Sequence, residues 1–216
     1  VALFAPFFLS KSLYAGYQSF NAEHGMVMSF LKFAVLSTLG ELLGLRISTG
    51  QYLRKGFGVL PRAVVWGVLG MGINLAFIVF STGVPAAAGY LGVDDPAAIM
   101  AGPVTLGKVL LAFAISVSLN SIFAPVFMTF HKITDTHILA TGGTLRGLFT
   151  PIPMGDIMQS LNWRVQWGFV FKKTIPLFWF PAHTITFLLP GEMRVLFAAL
   201  LGVALGVILA VAARKK

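Results

Sequence analysis

The sequence predicts an all-α, polytopic membrane protein: a bundle of about five transmembrane helices plus an N-terminal membrane-associated helix. Three observations carry that prediction. Hydrophobic residues make up 57% of the 216 and charged residues 11%, less than half the charged share of an ordinary soluble domain. Mean hydropathy is +0.86, and a soluble domain of this size lacks the polar groups to cover so much apolar surface. The apolar stretches are also continuous, whereas barrel strands alternate over about ten residues between turns.

The elements follow in order. Residues 1–22 carry Lys11, Tyr14, Tyr17 and Gln18, and read as an interfacial helix or an extra span. Val1 to Leu9 has no basic leader or small-residue cleavage site, so no signal peptide is expected. Five apolar runs near the length of a span, about 20 residues, follow at 27–53, 62–83, 107–131, 174–190 and 193–213. Between the third and fourth lies one long polar connection, 134–173. Its turn signals are Thr141-Gly142-Gly143-Thr144 and Pro151-Ile152-Pro153. From Gly155 it reads as an amphipathic interfacial helix, with Trp163 and Trp167 suited to the headgroup layer. These elements consume the chain as a single integral membrane domain.

Charge sets the expected orientation. The net charge is +9. Arg54, Lys55 and Arg62 flank one connection; Lys132, Arg146, Arg164, Lys172 and Lys173 flank another; Arg214, Lys215 and Lys216 end the sequence. By the positive-inside rule these lie on the cytoplasmic-type side, with Glu23, Asp94 and Glu192 opposite. A bacterial inner membrane or an organelle membrane is the expected location. Anionic lipid headgroups are the expected partners of Arg54, Lys55, Lys172, Lys173 and Arg214. The basic residues are not interleaved with base-stacking aromatics, so nucleic acid is not expected. Cysteine is absent, which removes disulfides and thiolate metal sites.

Each of the first four runs carries one strongly polar residue near its middle: Glu41, Asn74, Asn120 and His183. Lipid offers such groups no partner, so they turn to a bundle interior or a wet cavity. Ser116 shares a helix face with Asn120, and Thr186 follows His183. The expectation is a chamber at one depth lined by Glu41, Asn74, Ser116, Asn120, His183 and Thr186. Arg46, five residues past Glu41, stands about 140° around the helix and is a poor partner for it. The same residues equally suit interhelical hydrogen bonds that only lock packing. Pro125 is expected to kink the third run beside this stripe. Gly40 and Gly44, and likewise Gly202 and Gly206, form small-residue stripes that let backbones approach; a homo-oligomer face is the alternative use.

His131, Asp135 and His137 are the nearest thing to a metal-ligand cluster. They sit at a span end without a zinc spacing, so no metal is expected. No phosphate-binding glycine loop, nucleophile elbow or acid–base carboxylate pair is present. No enzyme activity and no cofactor are expected.

A resemblance adds to this reading. Phe178-Trp179-Phe180-Pro181-Ala182, then Thr186-Phe187, Pro190 and Arg194, resembles the pattern W-P-A…N-F…V-P-x-x-x-R. That pattern marks the family of small peroxisomal and mitochondrial inner-membrane proteins that includes the twenty-two-kilodalton peroxisomal membrane protein. Leu39-Gly40-Glu41, Arg62 with the glycine-rich run to Val84-Pro85, and Lys108 through Ala124-Pro125 are similar to its earlier motifs. The resemblance implies an integral membrane protein with channel-like activity. The functional expectation is a channel or transporter for ions or small polar solutes. The alternative is a non-transporting scaffold or complex subunit.

Overall fold

The computed structural model describes residues 10–214 and is helical throughout, with no strand among them. The expectations placed on 1–9, on Lys215 and Lys216 and on the Arg214 side chain lie outside it. Helix α1 (Lys11–Glu23) starts at Ser10, whose hydroxyl accepts from Leu13 N at 3.3 Å. Its 13 residues extend about 20 Å, short of a hydrocarbon core about 30 Å thick. Helix α2 (Gly25–Thr49) ends at Gly50, which takes φ +79° as a left-handed cap. Helix α3 (Val59–Tyr90) begins after Gly58, also left-handed. The helix that contains the expected second span of 62–83 extends beyond it at both ends.

Asp95 and Pro96 open the short α4 (Pro96–Ala101), and Thr105 caps α5 (Leu106–Ala140) by accepting from Lys108 N at 3.3 Å. Helix α5 runs nine residues past the expected 131, so 134–140 is helix and not loop. Gly142 and Gly143, both left-handed, turn the chain. Helix α6 (Met154–Ser160) stops before Asn162, and a helical turn at Trp163–Val165 leads into a π-helix, Gln166–Trp179. This π segment runs without a break into α7 (Phe180–Leu188), and α8 (Gly191–Arg214) follows. The expected interfacial helix from Gly155 and span from 174 are thus divided differently: the break falls at 161–162, and Thr174 lies inside the π segment.

Four helices are long and apolar enough to cross a membrane: Gly25–Thr49, Val59–Tyr90, Leu106–Ala140 and Gly191–Ala212. Arg62 on α3 joins Glu41 on α2 and Asp135 on α5, so the α2–α3 connection and the end of α5 share one end of the bundle. At that end the two loops touch. A methyl group on Gly58 would stand 2.8 Å from Gly143 Cα, and one on Gly143 would meet Gly56 O at 2.5 Å. All three glycines have positive φ, so a side chain there is excluded by both space and backbone. We call this the basic end, after Arg54, Lys55 and Arg146.

The tightest core lies toward the opposite end. Phe33, Leu36, Phe77, Ile115, Leu119, Phe187 and Ala199 join α2, α3, α5, α7 and the first turns of α8. Helix α8 also lies along α2, where the glycine stripes meet. A methyl on Gly40 would press on Val203 Cα at 3.1 Å, and one on Gly206 would stand 3.5 Å from Gly40 O. In lipid, where hydrophobicity does not drive helices together, such approach supplies dispersion contact.

Candidate functional site: a cavity with polar ends

Above that core the bundle is hollow. A half-enclosed cavity of about 390 Å³ is lined from α2, α3, α5, the π segment with α7, and α8. Its walls are aromatic and aliphatic: Phe33, Trp66, Phe77, Phe123, Phe127 and Leu205 among them. Its volume falls within the usual range of small-molecule sites, about 300–1,000 Å³. Helix α8 packs on α2 and on α7, and the π segment packs on α5 and α7. Both α8 and the π segment line the space between them, and rim residues Phe169 and Leu209 are 44% and 38% exposed. The cavity thus reaches partly exposed residues on both of these helices. On the π segment Gln166, Phe169, Val170, Thr174 and Trp179 line the cavity. Thr174 Oγ1 reaches back to Phe169 O at 3.4 Å.

Two polar clusters bound the cavity. The first is ionic and lies toward the basic end. Glu41 accepts from Arg62 Nη1 at 2.6 Å and from Trp66 Nε1 at 2.9 Å, and its Oε1 lies 3.3 Å from His131 Nε2. Arg62 also pairs with Asp135, gives its Nε hydrogen to Phe57 O at 2.7 Å and stacks over the Phe57 ring. His131 rests against Trp66, ring centres 4.3 Å apart. Both oxygens of Glu41, and Nε and Nη1 of Arg62, thus meet charge or a hydrogen bond, which a buried ion pair needs to offset desolvation.

The second cluster is neutral and deeper. Asn120 Nδ2 donates to Ser116 O at 2.8 Å, and the Asn120 amide faces His183 Nδ1 at 3.0–3.1 Å through either of its heteroatoms. If Nδ2–H donates to Nδ1, His183 carries its proton on Nε2; if Nδ1–H donates to Oδ1, Nε2 is an acceptor. Trp179 and Phe77 flank the imidazole at 4.9 and 5.5 Å.

The predicted residues fall into place unevenly. Glu41, Asn120 and His183 line the cavity. Ser116 gives its hydroxyl to Phe180 O at 2.8 Å, and Thr186 to Ala182 O at 3.0 Å; both are fully buried behind the wall. Among the described residues Asn74 makes only long contacts, 3.4 Å to Gly25 O and 3.6 Å to Met26 Sδ, and it does not line the cavity. The expected single depth is thus replaced by separate levels. Gly40, Gly44, Gly202 and Gly206 sit at the α2–α8 seam and also edge the cavity. His131 and Asp135 turn to Glu41 and Arg62, while His137 turns away to Gly147 O at 3.0 Å and Thr150 Oγ1 at 3.1 Å. No group of three potential ligands comes together among the described residues.

Sequence reasoning missed the role of Arg62, read as a flank of a loop and as part of the resemblance, and it missed Trp66. It missed Lys32 as well, buried on α2, where Nζ bonds Asn21 of α1 and lies 5.5 Å from the Tyr17 ring. Spacing gave no signal of the pair: Glu41 stands nine residues before Gly50 and Arg62 four after Gly58.

The fold and site define a helical bundle with several helices fit to cross a membrane and a cavity between them. No family model, curated protein or solved structure matches the chain.

Proposed function

We propose that this chain is a five-span membrane protein that admits an amphiphile from the bilayer into the cavity between α8 and the π segment. The observation that carries the reading is the cavity itself: apolar walls, polar groups at its ends, and partly exposed residues of both α8 and the π segment along its edge. An apolar space facing lipid takes an apolar body, while the few polar groups orient it. The fifth span is the rod formed by the π segment and α7, which returns the chain so that α8 starts at the end opposite the basic one. With the basic residues gathered at one end, the C-terminus lies with them on the cytoplasmic-type side. The resemblance to the small peroxisomal and mitochondrial membrane proteins agrees with a compact multi-pass bundle.

The chain lacks cysteine, so a nitroxide attached at Phe127→Cys reports on the cavity alone. In nanodiscs its collisions with dissolved oxygen are expected to exceed those with a water-soluble nickel chelate by about tenfold, as for a site continuous with lipid. Free access of the nickel chelate would overturn the amphiphile reading.

A second reading is favoured by one observation: Glu41, Asn120 and His183 line the same cavity. In that reading the cavity is the dry state of a pathway for ions or small polar solutes, gated by wetting. Glu41→Gln then lowers cation flux into liposomes. Reconstituted protein that passes no solute in either form removes it.

A further inference from the structure

We infer that the amphiphile is a single-chain, anionic one, held with its head at Lys132 and Gln166 and its chain among the phenylalanines of the cavity. The inference rests on the amphiphile reading above and adds the head-group chemistry. Lys132 lines the cavity, and its side chain is 53% exposed. Its one acidic neighbour is distant, Asp135 Oδ2 at 3.5 Å, and that carboxylate is already paired with Arg62. An exposed pair of this kind contributes little, so Lys132 is free to turn to a second anion. Glu41, the other acid of the lining, is consumed by Arg62, Trp66 and His131. Gln166, on the π segment, also lines the cavity and is buried, its amide offering two donors.

The surroundings carry the same sign. Arg54, Lys55, Arg146, Arg164, Lys172 and Lys173 belong to the basic end and its approaches. Within 50–58 and 141–173 the only acid is Asp156. Such a field concentrates anionic amphiphiles where the mouth opens. Below the head, Phe123, Phe127 and Phe169 offer a channel for an extended chain. The cavity, about 390 Å³, houses one extended chain, which an amphiphile with a single chain fills without leaving a second one unplaced.

The test uses the full chain in nanodiscs of uncharged lipid, with Trp163→Phe and Trp167→Phe. Of the four tryptophans this leaves Trp66 and Trp179, both on the cavity wall. Brominated palmitate is expected to quench them saturably, and brominated monopalmitoylglycerol to bind about fivefold more weakly, the scale of one half-exposed ion pair. Lys132→Gln should abolish the difference and Lys132→Arg should keep it. Equal binding of the two probes to the parent protein, or an equal loss with Lys172→Gln, overturns the head-group assignment while leaving the cavity reading intact. Quenching that Val170→Phe, which fills part of the cavity without adding a tryptophan, fails to reduce overturns both.

Discussion

The two polar clusters meet the same problem, a polar group inside an apolar bundle, with opposite chemistry. Near the basic end, Glu41, Arg62, Asp135 and His131 use full charges, shared across α2, α3 and α5. Deeper, Ser116, Asn120 and His183 use neutral hydrogen bonds between α5 and α7. Each solution has its own requirement. A charge far from water is tolerated only when all its partners are built in, and Arg62 has two carboxylates, a carbonyl and a ring around it. Neutral groups need fewer partners, and their unfolded alternatives within the membrane also find some. The ionic cluster is therefore rigid and intolerant, and the neutral one is adjustable.

Substitutions can break that contrast, beginning with the largest effect. Arg62→Met strands Glu41 and Asp135 together, and is expected to lower stability by about 3–5 kcal/mol, read as the midpoint of unfolding in mixed micelles. Stability within about 1 kcal/mol of the parent would mean the network is not formed. Glu41→Gln comes next. Arg62 keeps Asp135, and the glutamine still accepts from Trp66, so a loss of about 1.5–3 kcal/mol is expected, the range of a hydrogen bond to a charged group. A loss as large as that of Arg62→Met would show that Asp135 contributes nothing independent.

Asn120→Leu removes the centre of the neutral cluster, and the same unfolding assay should show a loss of about 0.6–1.7 kcal/mol. Smallest is the coupling between Asn120→Ala and His183→Ala in a double-mutant cycle, expected at about 0.6 kcal/mol. A coupling near that of the ionic pair would erase the distinction between the two regions.

Much of the architecture is readable from sequence because it follows from transfer energetics. Long apolar runs spell helices, and the glycine stripes at 40/44 and 202/206 mark the faces that approach closely. Glu41, Asn120 and His183 stand out because a polar residue in an apolar run is costly unless it turns away from lipid. The rest is hidden for definite reasons. Arg62 resembles every other base at a span end, and only the hairpin geometry of α2 and α3 turns it inward. Asn74 fits the same pattern as Asn120, but a residue's depth depends on where its neighbours begin, and α2 begins beside it at Gly25. The π segment has no composition of its own: its residues read equally as a loop, an interfacial helix and part of a span. The cavity is a property of what five helices fail to fill, and no local pattern records it.

The seam between α2 and α8 bears on how the molecule is made. The first and last of the long helices are neighbours in space, so α2 leaves the ribosome well before its partner exists. Until then the groove at Gly40 and Gly44 stands open to lipid, and the nascent hairpin is held by the Glu41–Arg62 pair. Synthesis interrupted before residue 191 would leave a trough in place of a closed ring. That trough leaves the polar ends of the cavity, Glu41 and Asn120, uncovered on one side, the kind of unfinished surface that membrane proteases recognise. The arrival of α8 then acts as the final seal on assembly.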